Sequence, residues 1–190
     1  AFSKVRGPGG VLLCRTEQER AAMERWLANH FSVYLKDSDE RKAVRDFCLL
    51  WAVFEGSLFD GHWSVESCRR VVGNLELGGV YGSQFRSARE YFRERYLTGE
   101  NHEIHWDLLG VPITNRDYLK RCLRGQRVTQ LDEATSLLII AWRLRANLFH
   151  GDEWRRGCQE PLLAFHHAGR TIMRVLEAVR MPVLSRVVTT

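Results

Sequence analysis

The sequence predicts an all-α protein, a helical bundle of about six or seven helices. Three observations predict it. Apolar residues recur at spacings of three and four along most of the chain, as one buried face of a helix requires. No segment sustains the alternation that marks a half-buried strand. The breaks fall at helix punctuation: side chains that cap an N-terminus, glycines that end a helix, and Pro112, which is excluded from a helix interior.

The elements follow in order. Residues 1–15, with Gly7-Pro8-Gly9-Gly10, read as a flexible N-terminal lead, and residues 16–190 as a single helical domain. Thr16-Glu17-Gln18-Glu19 forms a capping box, which opens a helix to about Leu35. Ser38 or Asp39 caps a second helix through Phe47, Leu50, Trp51, Phe54 and Leu58, ended by Asp60-Gly61. Ser64 opens a short helix to about Gly73, and Gly78-Gly79 with Gly82 marks a loop. An Arg-rich helix is expected from Ser83 to about Leu97, then two short helical pieces between Asn101 and Gly125, split at Pro112. Thr129 or Asp132 caps the longest periodic segment, which runs to Gly151. Pro161 suits the first position of a last helix to about Arg180, stopped by Pro182.

Composition excludes several classes. Of 190 residues, 45% are apolar and 27% charged, which fits a folded globular chain. The longest apolar runs, Cys48–Phe54 and Leu137–Trp142, fall far short of the ~20 residues that span a bilayer. Val11–Cys14 is too short for the core of a signal peptide. A start at Ala1 rather than Met is expected of a trimmed chain with an upstream segment missing. The five cysteines are scattered and form no C-x-x-C, so a disulfide framework and a zinc finger are not expected, and a reducing, cytoplasmic setting fits. The net charge of +5 points toward an acidic partner, and 24 of the 28 cations are arginine, the better bidentate phosphate ligand.

The chemical signal sits at the end of that longest periodic segment. On a wheel of 100° per residue, Leu137, Ala141, Leu144 and Leu148 form a core stripe, while Ser136, Arg143, Asn147 and His150 gather opposite. Arg145 lies on a flank with Leu138, Trp142 and Phe149. An Arg five residues before a His arises about once by chance in a chain this rich in Arg, and Arg25–His30 repeats the spacing. The surrounding string and its place at the end of the most core-like helix are what single out Arg145 and His150.

The string Trp142-Arg143-Leu144-Arg145-Ala146-Asn147-Leu148-Phe149-His150-Gly151 resembles the R-x4-H signature of HEPN domains, an all-α superfamily of prokaryotic toxins, defence proteins and RNA-processing proteins. The family usually has a polar residue directly after the Arg; here Ala146 stands there and Asn147 follows. The resemblance implies metal-independent RNA cleavage by 2′-OH attack, leaving a 2′,3′-cyclic phosphate. It implies His150 as acid/base and Arg145 as the phosphate-binding cation, with Asn147 orienting and Arg143, Arg155 and Arg156 supporting or contacting substrate. No metal and no cofactor is expected. RNA and a second copy of the chain are the expected partners, and the resemblance admits an antitoxin or regulatory domain. On a straight helix Arg145 and His150 are about 140° and 7.5 Å apart, so they do not share a face, and a homodimer that pools two motifs resolves the difficulty. The alternative is a catalytically silent helical module that binds RNA, a nucleotide or a protein.

Other features weigh less. His102-Glu103-Ile104-His105 lacks the spacing that puts two histidines on one helix face. Glu55 either faces the bundle interior near the motif or is solvated or paired. Arg86, Arg89 and Arg93 with Glu90 and Glu94 read as a mixed-charge outer face whose inner edge is Tyr91, Phe92 and Tyr96. Arg69-Arg70 reads as surface charge.

Overall fold

The computed structural model of the chain describes residues 38–59, 62–74, 81–98, 102–126, 128–150 and 162–179, with the single positions 22 and 25, both helical and exposed. Over these residues the protein is all-α, with no strand. The helix expected over residues 16–35 falls outside them apart from those two positions, as do the lead, Gly151, Arg155, Arg156, Pro161 and Pro182.

Helix α1, Ser38–Leu58, buries Ala43, Phe47, Trp51 and Phe54 along one stripe. Helix α2, Val65–Gly73, starts at the predicted cap: the Ser67 amide donates to Ser64 Oγ at 3.0 Å and the Ser64 amide to Ser67 Oγ at 2.9 Å. Two otherwise orphaned N–H groups are thereby satisfied, a device typically worth about 1 kcal/mol.

Helix α3, Tyr81–Arg93, begins two residues before the expected Ser83 and does not run on as an α-helix. It opens into a π-helical turn over Glu94–Thr98. A π turn holds an extra residue and so redirects the side chains that follow. Here Phe92 and Tyr96 are both buried with rings stacked at 6.0 Å, and Tyr96 lies 4.9 Å from Trp106. Arg86, Arg93, Glu90 and Glu94 are exposed, as the mixed-charge reading of this segment expects.

Pro112 splits the next segment as expected. Helix α4, His102–Leu109, ends at Gly110 with φ 67°, and helix α5, Ile113–Arg124, ends at Gly125 with φ 70°. Both glycines take the left-handed conformation that closes a helix at little cost only for Gly. Helix α6, Gln130–Phe149, is capped by Thr129 and Asp132. Helix α7, Leu162–Ala178, completes the bundle.

Helix α6 is the axis: it packs against α2, α3, α4, α5 and α7. Leu137, Ala141, Leu144 and Leu148 are buried as the wheel predicts. The expectation of a polar face opposite them is corrected, because every residue from Glu133 to Ala141 is buried, as is Asn147. With neighbours on all sides, even Ser136 is enclosed, its hydroxyl donating to Glu133 O at 2.8 Å. Helix α7 lies across α1, α3 and α6, with Phe165 5.4 Å from Phe47 and Gly169 set close to Leu50.

Candidate functional site

The C-terminal half of α6 meets α1 through a row of indoles. Trp142 stacks on Trp63 at 4.7 Å, and Trp63 lies 6.1 Å from Trp51 of α1. One turn further along α1 stands Glu55. Its Oε2 accepts a hydrogen bond from Trp51 Nε1 at 3.0 Å and lies 3.6 Å from Arg145 Nη2. The Arg145 guanidinium also rests 4.7 Å from the ring centre of Phe149, four residues along the same helix. Arg145 is 28% exposed and Glu55 18%, so the pair sits in the wall of the bundle with one side toward solvent. Arg145 Nε is buried and has no hydrogen-bond partner. Glu55 is thus a paired residue facing the motif. The sequence could hold that as an option but could not select it, since the pairing depends on how α1 crosses α6.

Cys48, two turns before Glu55, borders the same contact. Burial pushes its thiol up from the ordinary range, and the nearby Arg145 charge opposes that shift. The group is a neutral thiol at physiological pH and not an activated nucleophile. Cys68 and Cys122 are also free thiols.

Arg143 and Asn147 point elsewhere, to the end of α4. Arg143 Nε donates to Leu109 O at 3.1 Å, and Asn147 Nδ2 donates to Leu108 O at 3.0 Å. The last carbonyls of a helix lack intrahelical donors, and here two side chains one turn apart on α6 supply them. Gly110 makes room for this: a Cβ built there would lie 2.5 Å from Arg143 Nη2. Arg143 also lies 5.2 Å over Trp142. Both residues therefore hold the motif helix against α4.

His150 is the C-cap of α6. It keeps right-handed helical backbone angles, its amide donates to Ala146 O at 2.8 Å, and its side chain is exposed. Its ring makes no hydrogen bond or ion pair with a described residue. Arg145 and His150 are not brought together on one face of this chain. Arg155 and Arg156 lie outside the described residues.

Other histidines are engaged in packing. His105 Nδ1 is 2.9 Å from Arg95 O, and His167 stacks on Tyr91 at 4.5 Å. Burial, reinforced by the Arg170 and His166 charges, lowers the His167 pKa, so it stays neutral near pH 7. Among the described residues no group of three or more His, Cys, Asp or Glu could hold a metal ion. A groove of about 440 Å³ runs between α1 and α7, floored by Phe47, Leu50 and Phe165 and edged by Lys42, Asp46 and Arg170; no motif residue lines it.

No family model, no curated protein and no solved structure matches the chain. No described helix is long and apolar enough to cross a membrane.

Proposed function

We propose that the C-terminal end of α6 binds and cleaves RNA, and that the chain is a HEPN-type endoribonuclease acting as a cytoplasmic toxin or defence effector. The observation that carries the reading is the held arginine. Arg145 is fixed by Glu55 on one side and Phe149 on the other, within a turn and a half of an exposed histidine at the helix end. A guanidinium held in this way has already lost much of its rotamer freedom and can offer its remaining N–H groups to two phosphate oxygens.

The reaction needs two proton transfers and a place for charge. His150 takes the proton from the ribose 2′-OH, the general-base work to which an imidazole is suited. The freed 2′-oxygen forms a bond to the adjacent phosphorus, and the bond to the 5′-oxygen breaks. The departing 5′-oxygen takes up a proton, leaving a 2′,3′-cyclic phosphate and a 5′-OH. Arg145 offsets the charge that grows on the phosphate oxygens. His150 of the partner subunit serves as the second proton carrier in a homodimer, which also removes the need for Arg145 and His150 of one chain to share a face. Trp51 positions Glu55, which in turn orients Arg145, and Arg143 and Asn147 keep the helix end in register.

One observation favours the second reading, a silent binding module: the Arg145 charge is already met by Glu55, and the two polar neighbours are engaged as helix caps. Purified protein incubated with a defined oligoribonucleotide in EDTA, beside Arg145→Ala and His150→Ala, separates the two. The ribonuclease reading expects cleavage with cyclic-phosphate ends, reduced at least about 100-fold in each variant. Cleavage that survives both variants, or none in any preparation, refutes it. Sedimentation of the wild type checks the dimer, and an active monomer would overturn the shared site.

A further inference from the structure

Tyr118 of α5 carries two guanidiniums. Arg69, from α2, lies 4.9 Å from its ring centre, and Arg121, one turn along α5, lies 5.6 Å from it. Like charges do not gather on one ring without compensation. The obvious counter-charge is Asp132 at the start of α6, and it is engaged elsewhere. Its carboxylate accepts from the Thr129 hydroxyl at 2.7 Å and the Thr129 amide at 3.2 Å, and it lies 3.3 Å from the Tyr118 hydroxyl. Burial works against ionisation of Asp132, but these donors and the Arg121 charge outweigh it and hold its pKa below the usual value. Burial holds the Tyr118 phenol above its usual range, so it remains a neutral donor.

Asp132 therefore completes a helix cap and makes no ion pair with either arginine. Arg70 and Arg124 stand exposed on the same two helices. No described carboxylate comes within ion-pair distance of any of these four arginines, although Glu66 and Asp117 share the surface. Elsewhere on α5 the cations are neutralised, Arg116 by Asp107 at 2.8 Å and Lys120 by Glu103 at 3.2 Å. The contrast marks the Tyr118 cluster as the part of this surface left with unspent positive charge.

We infer that the Arg69–Tyr118–Arg121 cluster is an anchoring site for the phosphodiester backbone of a nucleic-acid strand. It rests on the reading of RNA as the ligand and deepens it. The two guanidiniums lie over a ring that is itself pinned by Asp132, so their forks are partly oriented before a phosphate arrives. The cluster adjoins the first turn of α6, whereas His150 closes the last. The α6 axis separates them by roughly 27 Å. A dinucleotide cannot touch both, and a longer strand can. The cluster accordingly sets how long a strand must be to bind tightly, and it takes no part in bond breaking.

The test uses fluorescence anisotropy with a 20-nucleotide single-stranded RNA in EDTA, titrated at several salt concentrations, all proteins carrying His150→Ala so that the probe survives. Arg69→Gln with Arg121→Gln is compared with Arg45→Gln with Arg174→Gln, which removes equal charge from α1 and α7. The cluster variant is expected to bind roughly tenfold more weakly at 0.1 M salt, with a salt slope smaller by about 1.4, while the control pair stays near the parent. Single-stranded DNA of the same sequence bound with the same loss agrees with backbone recognition. Equal weakening in both pairs, a parent protein that does not bind RNA, or polyglutamate bound as tightly and lost in parallel would each overturn the inference. If cleavage is absent but the cluster variant still loses RNA, the ribonuclease reading falls and the anchor stands. If cleavage holds and the cluster variant binds normally, the reverse is true.

Discussion

An arginine–glutamate contact sits at each end of α6, and the two are built differently. At the start, α6 supplies the acid: Glu133 Oε1 lies 3.2 Å from Arg89 of α3, with exposures of 8% and 30%. At the finish, α6 supplies the base: Arg145 faces Glu55 of α1. Both arrangements agree with the helix dipole, negative charge near the N-terminus and positive near the C-terminus. The surroundings differ. Glu133 Oε1 finds a charge nearby but no aligned hydrogen bond, and burial raises its pKa against the pull of Arg89 and Arg86. Glu55 has an indole donor as well as its cation, and Arg145 has a ring beneath it. The first pair is a charge tolerated by a core. The second is a charge aimed by its neighbours, which is the condition a binding or catalytic group needs.

Three experiments bear on this contrast. The largest effect is expected at Leu137, fully buried midway along α6. Leu137→Ala should cost about 2–5 kcal/mol in urea unfolding. A single transition for tryptophan fluorescence and far-ultraviolet circular dichroism would mean that both ends belong to one cooperative unit; two transitions would mean that they fold apart. A middle-sized effect is expected from Asn147→Ala, which strips the buried donor from Leu108 O. The cost should be about 1–3 kcal/mol, with faster hydrogen exchange over α4 and not around Glu133. Uniform acceleration along α6 would show that the C-terminal end is not held separately.

The smallest effect, and the one with a pH signature, concerns Glu133. Its neutral form is favoured in the fold, so the folded chain binds that proton more tightly than the unfolded chain does. The stability this contributes is full below the unfolded carboxyl value, about 4.3, and is lost as pH rises through the higher folded value. Glu133→Gln keeps the shape without the charge, so its stability should match or exceed the wild type by about 0–1 kcal/mol at pH 7. The profile above pH 4 should also be flatter. A loss above about 2 kcal/mol at pH 7 would make the two pairs alike after all.

These residues also mark what the chain discloses before it folds. Caps and breaks are local, and Ser64, Thr129, Pro112 and Gly125 do in the structure what their chemistry predicts. The core stripe of α6 was legible because helical periodicity is local too. The burial of Ser136 and Asn147 was not, because it depends on how many helices surround α6 and on carbonyls of α4 far away in sequence. Arg143 and Asn147 look on a wheel like substrate-facing side chains, and only the approach of Gly110 reveals their capping role. The Tyr118 cluster was missed because Arg69 and Arg121 come from different helices and meet on one ring. Arg69-Arg70 alone carries no signal that would find it.

Helix α7 packs across α1, α3 and α6, with Phe165 against Phe47. That placement imposes an order on biosynthesis. Helix α1 leaves the ribosome early, but the helix that covers its aromatic stripe is made some 120 residues later. At about 5–20 residues per second the nascent chain leaves Phe47 and its neighbours uncovered for roughly ten seconds. Until α7 arrives, the growing chain is a client in search of cover, and slowing translation ahead of residue 162 should lengthen that exposure in proportion.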